Sequence, residues 1–152
     1  MNNEDWDLVQ WSLSLPYWPI KLDCDGYILT IQRVRCTEMR DCIIVSINGV
    51  AKLDQRDGDP EERRRFCYEK KKFLYKPKRR AEIKEFRRKQ SKRFLKELDE
   101  KYRIAFNPDA IYTWHTQIWP NFKKLKSHLI KNNKEITLVK EEAINGEVIQ
   151  KS

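Results

Sequence analysis

The sequence predicts an α+β protein: an N-terminal antiparallel β-meander packed against a basic helical pair, then a C-terminal helix with one or more short strands. Three observations carry that class. Apolar residues alternate at period two between Tyr27 and Arg35, and Cys42 to Ile47 is a β-branched apolar run. Asn48-Gly49 separates two apolar runs, the strongest short hairpin signal, because a type I′ turn needs positive φ at both central residues. From residue 60 onward the apolar spacing becomes helical and the charge strongly basic. The 152 residues match the length of a single domain. Within it, 1–54 reads as mainly β-meander, 60–103 as a basic helical segment, and 104–152 as a helix with a short β-hairpin. Five Trp, six Tyr and six Phe argue against disorder, since disordered chains lack aromatic residues.

The elements follow in order. Trp6, Val9 and Leu13 share one helical face, so a short helix is expected after Asn3, ending before Pro16. Ile20 to Asp23 reads as a short strand and Asp25-Gly26 as a tight turn. Tyr27 to Arg35 alternates, with Tyr27, Leu29 and Ile31 on one side and Ile28, Thr30, Gln32 and Val34 on the other. Cys42 to Ile47 is β-branched and apolar, and Val50 to Leu53 is its expected hairpin partner. Residues 54–60 form an apolar-free loop in which Asp59 suits an N-cap and Pro60 the first helical position.

Two helices are expected next. One runs from about Pro60 to Tyr75 and is stopped by Pro77; the other runs from about Arg79 to Tyr102. Ile83, Phe86, Gln90, Phe94, Leu98 and Tyr102 make one stripe of the second helix, which would extend about 36 Å at 1.5 Å per residue. Asn107-Pro108-Asp109 marks a turn. Pro120 starts a helix with Phe122, Leu125 and Leu129 inward, ending at Asn132-Asn133. Glu135 to Lys140 reads as a strand, and Asn145-Gly146 as a turn into Glu147 to Gln150.

Thirty-two Lys and Arg against 23 Asp and Glu leave a net charge of +9. Residues 61–103 hold 19 of the basic side chains and only eight acidic ones. Charge gathered in this way points to a polyanion. The residues expected to contact phosphate are Arg63, Arg64, Lys71, Lys72, Lys78, Arg79, Arg80, Arg87, Arg88, Lys89, Lys92, Arg93 and Lys96. Phe66, Tyr68, Phe73 and Tyr75 are interleaved among them and are of the type that stacks on unpaired bases. The competing reading is a solvated face, in which Glu69, Glu82, Glu85, Glu97 and Glu100 pair with Lys or Arg one helical turn away. No helix-turn-helix, RRM, KH or basic-zipper pattern is present.

Other chemistry is sparse. No phosphate loop, nucleophile elbow or dinucleotide fingerprint occurs. Cys24, Cys36, Cys42 and Cys67 contain no CxxC pair and lie far in sequence from His115 and His128, so no zinc or other cofactor is expected. Asp23 and Asp25 flank a turn, which accounts for them without a metal. His115, between Trp114 and Thr116, is the one candidate for acid–base work in a metal-independent ribonuclease. No apolar run is long enough to span a bilayer. The acidic stretch Met1 to Asp7 does not resemble a secretory signal. A cytoplasmic location with four reduced thiols is therefore expected.

The function expected from these features is a nucleic-acid-binding accessory protein, with DNA slightly favoured over RNA. It would act alone or within a protein complex, with no membrane partner. A plasmid, phage or conjugative element is the context such a protein fits. The alternatives are the ribonuclease using His115 and an adaptor that binds an acidic protein.

Overall fold

The computed structural model describes residues 1–51 and 59–140, which form two compact units. The first comprises Met1–Tyr68 together with the chain from His115 onward, and the second is Glu69–Trp114, inserted in sequence within the first. The class is α+β with an N-terminal meander of antiparallel strands, as expected.

In the first unit α1 spans Asn3–Ser12 and opens with a reciprocal cap. The Asn2 side chain accepts the Asp5 N–H at 2.8 Å, and the Asp5 carboxylate accepts the Asn2 N–H at 3.2 Å. Its inward residues are Trp6 and Val9, with Leu13 just beyond. Strands β1 (Ile20–Cys24), β2 (Tyr27–Thr37) and β3 (Arg40–Ile47) make the meander. Asp25 and Gly26 both have positive φ, as do Asn48 and Gly49, so both expected tight turns form. Beyond the second turn Val50 makes one bridge to Ile47. Ala51 is not in a strand, and the rest of the expected partner strand and most of the 54–60 loop lie outside the described residues. Helix α2 (Pro60–Phe66) starts as the sequence indicates, with the Asp59 carboxylate accepting the Glu61 N–H at 2.9 Å.

Here two expectations are corrected. The helix expected to reach Tyr75 ends at Phe66, and the chain continues as strand β4 (Tyr68–Phe73). The cause is tertiary. Phe66 is buried, its carbonyl accepts the indole N–H of Trp119 at 3.0 Å, and Cys67 turns extended. The helix expected from Arg79 to Tyr102 is two helices, α3 (Pro77–Arg88) and α4 (Lys92–Lys101). Pro77 opens α3 rather than stopping its predecessor, which suits proline at the first helical position. Ser91 caps α4 by accepting the Phe94 N–H at 3.2 Å. One straight helix would separate Arg87 from Asp99 by about 18 Å along its axis. Instead, their side chains form two bonds of 2.8 and 3.0 Å.

Strand β5 (Ile111–Thr116) pairs with β4 in a two-stranded sheet. Leu74, just past β4, donates its N–H to the carbonyl of Ala110, just before β5, at 2.8 Å. The end of one strand thus meets the start of the other, and the two run antiparallel. Strand β6 (Ile118–Trp119), helix α5 (Phe122–Asn132) and strand β7 (Ile136–Leu138) complete the first unit. Helix α5 is capped by Asn121, one residue after Pro120, and buries Leu125 and Leu129 as expected. The second expected hairpin, at Asn145-Gly146, falls outside the described residues.

The main sheet is antiparallel, in the order β6-β3-β2-β1-β7. Alternate residues Leu22 and Cys24, Leu29 and Ile31, and Ile43, Val45 and Ile47 are buried. They share one core with Trp6, Val9, Leu13, Phe66, Trp119, Leu125 and Leu129. The reduced-thiol expectation is corrected for two cysteines. Cys36 and Cys42 are joined as a disulfide across the β2–β3 hairpin, where an irregularity between Arg35 and Thr37 sets Cys36 beside its partner strand. Cys24 and Cys67 remain free thiols and are buried. Among the described residues no helix is long and apolar enough to cross a membrane.

Candidate nucleic-acid interface

Charge divides between the two units more sharply than along the sequence. Glu69–Trp114 carries 16 Lys and Arg against seven Asp and Glu, which is the whole net charge of +9. The remainder of the chain holds 16 of each sign and is neutral.

Of the residues expected to contact phosphate, Arg63 and Arg64 belong to the first unit, and the other eleven all fall in the second. Arg64 is held by Glu61 through bonds of 2.6 and 3.1 Å. The two guanidinium groups of Arg64 and Arg65 lower the Glu61 carboxyl to about 2. Arg63 is half-buried, and its Nε has no hydrogen-bond partner among the described residues.

Within the second unit the cations fall into three groups. Arg80 and Arg87 are structural ties. Arg80 donates to the Pro108 carbonyl at 2.9 Å, pairs with Asp109 at 3.3 Å and lies 3.5 Å from the centre of the Phe73 ring. Arg87 grips Asp99 with both terminal nitrogens and donates to the Phe106 carbonyl at 3.0 Å. Hydrogen bonding between that pair raises the arginine pKa and lowers the carboxyl.

Exposed ion pairs hold the second group. Lys71 meets Glu69, Arg79 meets Glu82, Arg88 and Lys89 share Glu85, and Arg93 meets Glu97, at 2.8 to 3.6 Å. Such pairs contribute at most about 1 kcal/mol each and yield readily to a phosphate. The third group, Lys72, Lys78, Lys92 and Lys96, is exposed and has no ion-pair partner among the described residues. Lys92 and Lys96 border a shallow depression along α4 with Leu95, Asp99, Glu100 and Arg103.

The aromatic side chains expected to interleave with the charges separate. Phe66 is buried in the first unit, and Tyr68 packs on Trp119 at 5.1 Å between ring centres. Tyr75 donates its hydroxyl to the Ala105 carbonyl at 3.0 Å. Phe73 sits under Arg80. A different pair is presented on β5: Tyr112 and Trp114 stack at 5.6 Å between ring centres with planes 22° apart. Neither ring is among the residues the sequence singles out for stacking. The signal that could have found them is their period-two spacing, which places both on one strand face. Residues hydrogen-bonded across an antiparallel pair lie directly opposite each other. Both strands have six residues, and counting back from Leu74 and Ala110 puts Lys72 beside Tyr112 and Lys70 beside Trp114.

His115 is half-buried on β5, and its side chain makes no hydrogen bond or ion pair among the described residues. A general base ordinarily has a third group to orient it. His128 has its Nε2 at 2.9 Å from the Arg64 carbonyl, and its ring contacts Trp119 at 5.0 Å. Burial pushes the Cys24 and Cys67 thiols up to about 12, which leaves them protonated and weakly nucleophilic near neutral pH. Asp23 and Asp25 accept backbone N–H bonds, from Gly26 and from Lys134 and Glu135 respectively. Among the described residues no three His, Cys, Asp or Glu gather in a way that could hold a metal ion. Set against known proteins, the chain significantly matches no family model, no curated protein and no solved structure, so the interface rests on its own charge and geometry.

Proposed function

We propose that the chain is a nucleic-acid-binding accessory protein that holds its ligand through the unit Glu69–Trp114. The observation that carries this reading is the complete gathering of the net +9 into that unit while the rest of the chain is balanced. Cations gathered without matching anions repel one another, and a phosphate backbone relieves that repulsion while releasing its own counterions. Lys72, Lys78, Lys92 and Lys96 are the first contacts, because no ion pair among the described residues has to be broken to use them. Arg79, Arg88, Lys89 and Arg93 join by exchanging weak surface pairs. Arg80 and Arg87 support the unit and are left out of the ligand contacts.

The test is fluorescence anisotropy with labelled DNA and RNA over a salt series. Tight binding at low salt should weaken steeply as salt rises, with a log–log slope of about −0.7 to −0.9 per phosphate contacted. Replacing Lys72, Lys78, Lys92 and Lys96 together by Gln should weaken binding to all sequences alike and flatten that slope. Wild-type protein that binds neither DNA nor RNA at low ionic strength refutes the proposal. Pull-down of an acidic protein that survives nuclease treatment, with no nucleic acid bound, would replace it with the adaptor reading.

A further inference from the structure

Resting on the nucleic-acid reading, we infer that the β4–β5 face carrying Lys70, Lys72, Tyr112 and Trp114 is a stacking platform for unpaired bases, so that the ligand is single-stranded. Three observations converge on this face, all within the second unit. Tyr112 and Trp114 stack on each other along β5, which aligns two flat apolar surfaces one strand repeat apart. Tyr112 is 44% exposed and Trp114 is half-buried. Lys70 and Lys72 are exposed and lie opposite the two rings in the register set by the Leu74–Ala110 bond.

The occupant follows from charge and shape. An apolar protein surface would be poorly served by two lysines beside the rings. A rigid duplex hides its bases inside the stack and offers this face only phosphates. A single strand supplies both halves of the match: bases for Tyr112 and Trp114, and phosphates for Lys70 and Lys72. The break between α3 and α4 agrees with this, because no straight basic helix remains to lie along a duplex.

The experiment compares oligo-dT, oligo-U and a blunt duplex of equal length, with wild type, Tyr112→Leu, Tyr112→Phe and Trp114→Phe. Wild type should prefer the single strands. Tyr112→Leu should lose about tenfold or more in single-strand affinity and leave duplex binding unchanged. Tyr112→Phe should restore single-strand binding, because a phenyl ring stacks as a phenol does. Tryptophan fluorescence should be quenched by the single strands, and less so in Trp114→Phe. A preference between the DNA and RNA strands identifies the sugar and is consistent with the platform either way. Single-strand affinity unaltered in Tyr112→Leu, or a wild-type preference for duplex, overturns this inference while leaving binding by the basic unit intact. Wild type that binds none of the three probes removes both.

Discussion

At the β1–β2 turn the Asp25 carboxylate accepts the backbone N–H groups of Lys134 at 2.9 Å and Glu135 at 2.8 Å, and pairs with Arg65 at 2.7 Å. One side chain therefore joins the turn, helix α2 and the approach to β7. Those two N–H bonds, with Arg65 behind them, lower the Asp25 pKa. Glu61, bonded by Arg64 and Arg65, is lowered from its ordinary 4.5 to about 2. A carboxyl whose folded pKa lies below its unfolded one stabilises the fold fully above the unfolded value, and loses that stabilisation as pH falls through the folded one. Stability measured by urea denaturation should accordingly decline between about pH 4.5 and pH 2. The decline should be shallower in Asp25→Asn/Glu61→Gln, and an unaltered pH profile in that variant would show that the pairs do not matter. The sequence showed Asp25 as a turn residue beside Gly26. Its ties to Lys134 and Glu135, more than 100 residues away, have no local signature.

Elements whose ends are set by their own residues were legible, and those set by distant partners were not. Asp59-Pro60 and Asn2 start helices by local hydrogen bonding, and both starts lie within a residue or two of where the sequence puts them. The apolar stripe through Ile83, Phe86 and Phe94 is real, yet it belongs to two helices that meet through an edge-on contact between Phe86 and Phe94 at 6.5 Å. Ser91, which caps α4, sits inside a run of helix-compatible residues and so gave no clear stop. Ser91→Ala should cost about 1 kcal/mol. Amide hydrogen exchange is the suitable measurement: protection should fall across residues 77–101 and hold in the main sheet. Unchanged protection in α4 would mean that the Arg87–Asp99 pair alone maintains the break.

Across the whole molecule, apolar burial and cationic charge occupy different units. The first unit holds a continuous core from α1 through the sheet to α5. In the second, Ile83 is the one large apolar side chain buried among the described residues, while Phe73, Phe86, Phe94, Tyr102 and Tyr112 stay partly exposed. The stability of the first unit should thus depend on its central contacts. Leu125→Ala removes a fully buried side chain from α5 and should lower the unfolding free energy by about 2–5 kcal/mol, read from the urea midpoint. A loss of less than about 1 kcal/mol would show that the site collapses around the gap. The second unit has little core to lose, and its charge and several of its rings stay exposed.

The sequence by itself determined what depends on neighbours a few residues apart: both tight turns, the Asp59–Pro60 helix start, the strands of the meander, the inward face of α5 and the concentration of positive charge. The tertiary structure alone decided where α2 stops, that α3 and α4 are separate, that Tyr68–Phe73 is a strand, and that Tyr112 and Trp114 stack on each other along β5. Those outcomes turn on contacts between residues dozens of positions apart, such as Phe66 with Trp119 and Leu74 with Ala110. The free energy of such contacts outweighs helix propensities of less than about 1 kcal/mol per residue.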